Sequence, residues 1–207
     1  MANPWNEIPL DVYETHMSLD SVRQLQALNR MTRAQLEAYP VRTAMILGVA
    51  GGNGLEHVRR EKYDRVWGVD LNRDYLQAAA LRHPALEGVL CLLPLDLTKD
   101  AALLPEAELV IANLLIEYVG YAAFQNVISR VRPRYISCVI QINGGVGEWV
   151  SDSPYLHAFD GLDAIHCQVE PKELTAHMEQ IGCREILQKS EPLPNGKRLL
   201  RLDYRRS

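Results

Sequence analysis

Over residues 18–39 apolar side chains return at steps of three and four. Val22, Leu25, Leu28, Met31 and Ala34 form one stripe, the period of an amphipathic helix. Ser18 stands where an N-cap is expected, and Pro40 stops the helix from continuing. A shorter helix is predicted over Leu10 to Met17. From residue 41 the period changes. Continuous apolar runs occupy 44–50, 65–70, 88–95, 108–113 and 135–142, with helix-like stretches near 54–62, 73–82 and 121–131. Such runs suit strands buried on both faces, and strands alternating with helices predict a parallel sheet covered on both sides. Glu173 to Ile181 reads as a further helix. Residues 184–188 and 197–204 read as two strands joined through Leu-Pro-Asn-Gly, where Asn195-Gly196 is a tight-turn signal.

The predicted fold class is therefore α/β: a three-layer, doubly wound, mostly parallel sheet of seven strands with an antiparallel last strand, plus N-terminal helices. Residues 1–40 form a helical extension and 41–207 the α/β domain. Residues 143–170 fit neither period. They hold Gly144, Gly145, Gly147, Pro154 and several aromatics, and read as a loop or insertion of the kind that often carries function.

Composition narrows the class. Of 207 residues 47% are hydrophobic and 23% charged, the balance of a soluble globular protein rather than a disordered one. Lys plus Arg is 22 and Asp plus Glu 26, a formal charge of −4, so there is no global field for nucleic acid. Arg201, Arg205 and Arg206 are few and mixed with Asp203, and read as a solvated strand edge guarded by charge. Cys91, Cys138, Cys167 and Cys183 form no C-x-x-C pair, which points to reduced core cysteines, a cytoplasmic location and no metal site. The N-terminus lacks the pattern of a secretory signal, and the most apolar stretch, 109–124, is too short and polar to span a bilayer.

The first strand runs into Gly48-Val49-Ala50-Gly51-Gly52-Asn53-Gly54. Small residues let the backbone turn tightly and approach a ligand, and amides at the start of a following helix would face it. His57 breaks the dinucleotide fingerprint, and no Lys-Ser or Lys-Thr completes a phosphate-binding loop. Asp70 ends the second strand, where a carboxylate can accept both hydroxyls of a ribose; helix capping is the alternative role. Asp96 follows the third strand and suits an exocyclic amine, with a turn or cap as its alternative. Asn113 ends the fourth strand, and Glu117 and Tyr118 follow it toward the same crevice.

This series resembles the class I S-adenosylmethionine-dependent methyltransferases, over residues 41–142 and on through the C-terminal hairpin. The family's first motif, an acid followed by alternating glycines, falls on Gly48, Ala50, Gly52 and Gly54, so Gly48 stands for the acid and Ala50 for the first glycine. The resemblance implies that Asp70 and Leu71 hold the cofactor ribose and that Asp96 and Leu97 hold adenine. Asn113 would lie beside the methionyl group, and the N-terminal segment would act as a lid bringing Tyr13 or His16 to the pocket. No Asn/Asp-Pro-Pro-aromatic motif follows the fourth strand, no Pro-Cys dipeptide occurs, and Gln141-Ile142-Asn143 supplies no paired acids for a divalent metal.

The expected activity is methyl transfer from S-adenosylmethionine to a small-molecule acceptor, leaving S-adenosylhomocysteine, with no metal, membrane or strong nucleic-acid partner. A non-catalytic nucleoside-binding module on the same fold is the alternative. Positioning is the larger catalytic contribution, about 7–11 kcal/mol, against about 10²–10⁴-fold from a general base. If a base acts, Glu117 and Tyr118 are the candidates. His157 and His166, with Trp149, Tyr155 and Phe159, would line an acceptor pocket in 143–170.

Overall fold

The structure, a computed structural model, describes residues 3–144 and 149–207. Gly145 and Gly147 of the predicted loop lie outside the described residues. Seven strands form one sheet: β1 (Thr43–Leu47), β2 (Arg65–Asp70), β3 (Leu90–Pro94), β4 (Leu109–Asn113), β5 (Tyr135–Ile142), β6 (Cys183–Pro192) and β7 (Arg198–Arg206), in spatial order β3-β2-β1-β4-β5-β7-β6. β1 to β5 pair in parallel. β7 enters antiparallel between β5 and β6. The order reverses beside β1, so the carboxyl ends of β1 and β4 flank the point where crevices open in such sheets.

Five α-helices cover the sheet: α1 (Leu10–Ser18), α2 (Gln24–Ala38), α3 (Arg73–Arg82), α4 (Ile116–Val131) and α5 (Pro171–Gln180). On one face Met45, Leu47, Val110, Ile136 and Leu202 pack with Phe124 and Val127 of α4 and Leu174 and Met178 of α5. On the other, Ile46, Val66 and Ile111 pack with Leu36 of α2 and Leu76 and Ala79 of α3. Each of these Val, Leu, Ile, Met and Phe side chains removed from water stabilises the fold by about 1.5–3 kcal/mol, and burial on both faces is why the strands read as unbroken apolar runs.

Five expectations are corrected in whole or in part. The helix near 54–62 is only a three-residue 3-10 turn, Leu55–His57, so no helix N-terminus follows the glycine turn. Ser18 ends α1 instead of capping α2; its hydroxyl donates to the Thr15 carbonyl, and α2 begins after Arg23, which has φ +52. The expected stripe is buried at Val22, Leu28 and Met31 and half-buried at Leu25, but it does not extend to Ala34, and the buried face also takes in polar residues. Ala34 is exposed, whereas Gln24, Thr32 and Gln35 are buried, because polar groups on the sheet and its strand ends await them. Arg201 is not on a solvated edge. β7 is an interior strand, and Arg201 is buried against Asp203; the exposed edge is β6, which carries Arg184, Glu185, Lys189 and Glu191. α4 starts five residues earlier than the periodicity suggests and is interrupted at Gly120, whose φ of +75 only glycine adopts readily.

Candidate functional site

Two clefts meet above the carboxyl ends of the central strands. The first encloses about 720 Å³, partly open to solvent. Gly48 and Ala50 after β1, Asp70 and Leu71 at β2, Asp96 and Leu97 after β3 and Asn113 at β4 line it, and Tyr13 of α1 closes it. The sequence thus marks eight residues that the fold brings together from five separate segments. Gly52 and Gly54 are elsewhere. A Cβ on Gly52 would lie 3.0 Å from the His83 ring, and one on Gly54 2.7 Å from Thr32. These glycines permit internal packing against α2 and the end of α3.

The glycine turn is shaped by its neighbours. Gly48 has φ +66, and a Cβ there would stand 3.1 Å from Leu115 Cδ1, so the place of the family acid is filled by an apolar side chain. Ala50 has φ +47, a conformation that strains a residue with a Cβ by roughly 1–2 kcal/mol. Its amide donates to Asp70 Oδ2 at 2.9 Å while Asn72 N donates to Oδ1 at 2.9 Å. Asp70 is therefore not a helix cap; Asn72 caps α3 by accepting from Asp74 N and Tyr75 N. Burial raises the Asp70 carboxyl above its ordinary range, opposed by the amides of Asn72, Ala50 and Leu71. Over Gly51, Arg82 of α3 donates to the carboxylate of Glu14 in α1 and to the Gly51 carbonyl, which docks α1 on the turn.

Asp96 makes a turn: Oδ1 accepts from Thr98 N and Oγ1, and Oδ2 from Lys99 Nζ at 2.7 Å. Burial alone would raise its carboxyl, but those bonds hold it below the ordinary range. The Asn113 side chain turns toward α2. Its amide exchanges hydrogen bonds with Gln35 at 2.9 and 3.0 Å and donates to Thr32 Oγ1, so it meets the cleft with its polar atoms already engaged. Among the described residues lining this cleft the formally charged groups are Asp70 and Asp96, with no lysine or arginine.

The second cleft encloses about 550 Å³, partly open to solvent, and shares Trp5, Tyr13, Leu114 and Tyr118 with the first. Its far wall comes from the irregular segment: Trp149, Phe159 and His166, with Leu156–Ala164 wound as a 3-10 turn. The ring of His166 stacks on Trp149 at 3.9 Å, and Trp5 meets Tyr118 edge-on at 5.0 Å. His157 is not in the wall; it is exposed and paired with Asp160 at 3.2 Å. Tyr155 is not in the wall either, but packs against the cluster around Phe159 and Leu162.

Glu117 and Tyr118 both line this second cleft. Glu117 Oε1 accepts from Gln141 N at 2.9 Å, and Oε2 has no hydrogen-bond partner among the described residues. Burial pushes the Glu117 carboxyl up to about 7 and raises the Tyr118 hydroxyl far above its ordinary value. His16, buried and hydrogen-bonded through Nδ1 to Ser153 Oγ at 2.8 Å, is held below the ordinary histidine range by burial and then by Lys197. Burial likewise lowers His166. Gln24 and Gln141 were not foreseen. Gln141 is the polar residue at the carboxyl end of the β5 run, which is the available signal, whereas Gln24 reaches the site only through the packing of α2. Among the described residues no helix is long and apolar enough to cross a membrane, and no group of three or more His, Cys, Asp or Glu is placed to hold a metal.

No family model matches the chain, and no curated protein matches it in sequence. Solved structures do match in fold. The [4+2]-cyclase SpnF is 9% identical, with a TM-score of 0.71 over 99% of this chain and 95% of that one. Magnesium protoporphyrin IX methyltransferase (ChlM) from Synechocystis PCC 6803, with bound S-adenosylmethionine, is 10% identical, with a TM-score of 0.68 over 100% and 98%. N-methyltransferase NodS from Bradyrhizobium japonicum WM9, in complex with S-adenosylhomocysteine, is 11% identical, with a TM-score of 0.66 over 99% and 99%. At such identities the likeness speaks for architecture, and this chain has the Rossmann-like fold of the class I S-adenosylmethionine-dependent methyltransferases.

Proposed function

We propose that the protein is an S-adenosylmethionine-dependent methyltransferase acting on a small-molecule acceptor, with the cofactor in the first cleft and the acceptor in the second. The observation that carries this reading is the pair of adjoining clefts, joined at Trp5, Tyr13, Leu114 and Tyr118, the nearer one lined by two carboxylates and no cationic side chain. A pyrophosphate would need countercharge, and among the described residues no cationic side chain lines this cleft, while the glycine turn leads into a three-residue 3-10 turn and not into an α-helix. A nucleoside bearing a sulfonium and an ammonium suits acids and aromatic rings. Asp70 would take the ribose and the Asp96–Leu97 turn the adenine. Gly48, Ala50 and Leu71 shape the floor, Asn113 flanks the methionyl end, and Gly52 and Gly54 support the turn from behind.

When bound, the cofactor supplies a methyl group on sulfur, whose carbon–sulfur bond breaks with its electron pair going to sulfur as an acceptor lone pair bonds to the carbon. The protein's own work is positioning. Trp5 and Tyr13, from the N-terminal 1–40 lid, exclude water from the junction, and Leu114 and Tyr118 shape the passage between the clefts. That ordering is worth about 7–11 kcal/mol of barrier, so a base is an addition to it. Glu117, and beside it Tyr118, are the groups we assign to acid–base work at the acceptor. The second cleft favours an enzyme over a non-catalytic binding module, which needs only the first. The four unpaired cysteines suit a reducing compartment such as the cytoplasm.

Calorimetric titration with S-adenosylmethionine and S-adenosylhomocysteine, with NADH as control, tests the cofactor assignment. We expect micromolar binding of the adenosyl compounds, weakened about 10–100-fold in Asp70→Asn. A folded protein that binds neither, or binds NADH as well, would reject it.

A further inference from the structure

The second cleft is a mostly apolar, aromatic-walled compartment in which, among the described residues, one fully buried polar atom lacks a hydrogen-bond partner. The polar side chains around Glu117 satisfy one another. Gln24 donates to Gln141, Gln141 donates to Asn143 Oδ1 and the Trp149 carbonyl at 2.8 and 2.7 Å, His16 pairs with Ser153, and Ser151 Oγ accepts from Asn195. Glu117 is only 5% exposed, and its Oε2 has no partner among the described residues. A buried acceptor oxygen left unpaired costs about 1–3 kcal/mol, more if charged, so a fold keeps one where a ligand completes it or strain is tolerated for function. Among the described residues that line the cleft Glu117 is the one acid, and there is no lysine or arginine. The Lys197 ammonium lies behind the wall and donates to the Trp149 carbonyl at 2.7 Å. A carboxylate or phosphate on the ligand would therefore meet no lysine or arginine among the described lining residues, the Lys197 ammonium being engaged at the Trp149 carbonyl. A cation would find the Glu117 carboxylate and the aromatic rings of Trp5, Tyr118 and Trp149, which attract cations through their faces.

Resting on the reading of the two clefts given above, we propose that the methyl acceptor is an amine. Its nitrogen meets Glu117 Oε2 and its apolar body lies against Trp149, His166 and Phe159. The amine enters as an ammonium and the Glu117 carboxylate takes one N–H proton, which frees the nitrogen lone pair. The nitrogen then forms the carbon–nitrogen bond as the carbon–sulfur bond breaks. The methylated product leaves as an ammonium, and the proton on Glu117 passes to solvent. A carboxyl near 7 is suited to this exchange, since it ionises at neutral pH yet is more basic than an ordinary glutamate. The groups that face it are Tyr118 on its own helix, Cys138 of β5 and Cys167, both of which its charge raises further, and His16 and His166 across the cleft.

The test uses phenethylamine and its neutral analogue 2-phenylethanol, titrated calorimetrically into the full chain, with and without S-adenosylhomocysteine. The amine is expected to bind about 10–100-fold more tightly than the alcohol. At pH 6 in buffers of different ionisation enthalpy, its binding should release close to one proton from Glu117, and at pH 8.5 none. Glu117→Gln should abolish both the preference and the proton release while leaving alcohol binding intact, which shows the cleft still folded. Equal affinity for amine and alcohol, binding of neither, or an amine preference that survives Glu117→Gln would overturn the proposal. The adenosyl compounds report separately. If they fail to bind while the amine preference holds, the cofactor reading is rejected and the cation site in the second cleft stands; if they bind and the preference is missing, only the amine proposal falls.

Discussion

Asp203 and Glu117 are both buried acids, on β7 and α4, and the fold treats them oppositely. Asp203 accepts from Tyr39 Oη at 2.6 Å, from Ser137 Oγ, and from Arg201 Nε at 2.8 Å and Nη2. Glu117 accepts one backbone bond, at 2.9 Å, and its other oxygen has no partner among the described residues. The first is completed by the protein's own chain and links α2 to the sheet through Tyr39. The second lies at a cavity. The contrast teaches that burial of an acid says little about its role until its bonds are counted: a fully bonded carboxylate belongs to the architecture, and a half-bonded one facing a cleft belongs to whatever fills it.

The strongest way to break the contrast is to remove the complete acid. Asp203→Ala leaves Arg201 buried and unpaired and strips the acceptor from Tyr39 and Ser137. It is expected to lower stability by about 3–5 kcal/mol in urea unfolding. A loss below 1 kcal/mol would mean that this network is not structural.

The incomplete acid should behave in the reverse sense. Its carboxyl sits near 7 in the folded chain and near 4.5 when unfolded. Between those values the native state holds the extra proton. Stability therefore falls as pH rises from about 4.5 to 7, and levels off above. Glu117→Gln does not titrate and keeps the acceptor for Gln141 N. The variant should gain on the parent by about 3 kcal/mol across that window, with no further divergence at higher pH. Parallel stability curves for parent and variant would show that Glu117 is not held near neutrality.

A smaller effect sharpens the intermediate case. Asp70 accepts only from backbone amides, one of them that of the strained Ala50. Ala50→Gly should keep that bond, relieve the positive φ, and raise stability by about 0.5–1 kcal/mol after the entropy lost by glycine is deducted. Destabilisation instead would show that the Ala50 methyl packs usefully in the turn.

Much of this was legible in the chain. The boundaries of β2, β5 and α3 coincide with the runs that predicted them, because a strand buried on both faces and an amphipathic helix write their periods directly into the sequence. The strand-end residues Asp70, Asp96 and Asn113 were legible for the same reason, since a parallel sheet sends all its carboxyl ends to one edge. What failed was local structure decided at a distance. Residues 54–62 have helical periodicity, yet Asn29 of α2 binds Asn53, Glu56 and His57 and holds the segment in a short turn. The burial of Gln35 and Thr32 beside the apolar stripe of α2 has no mark in the local sequence, because their partners, Asn113 and Ser137, stand some 80 to 100 residues away.

The sequence alone therefore determined the layer order of the protein, the sheet edge at which chemistry is possible, and the acids placed there, all of which follow from periodicity and strand polarity. Only the tertiary structure decided which of those acids are already satisfied. It turned the Asn113 amide toward α2, sent His157 to solvent and His166 to the cleft, completed Asp203, and left one Glu117 oxygen without a partner among the described residues. Hydrogen-bond saturation is a property of three-dimensional neighbours, and a sequence carries no local mark of it.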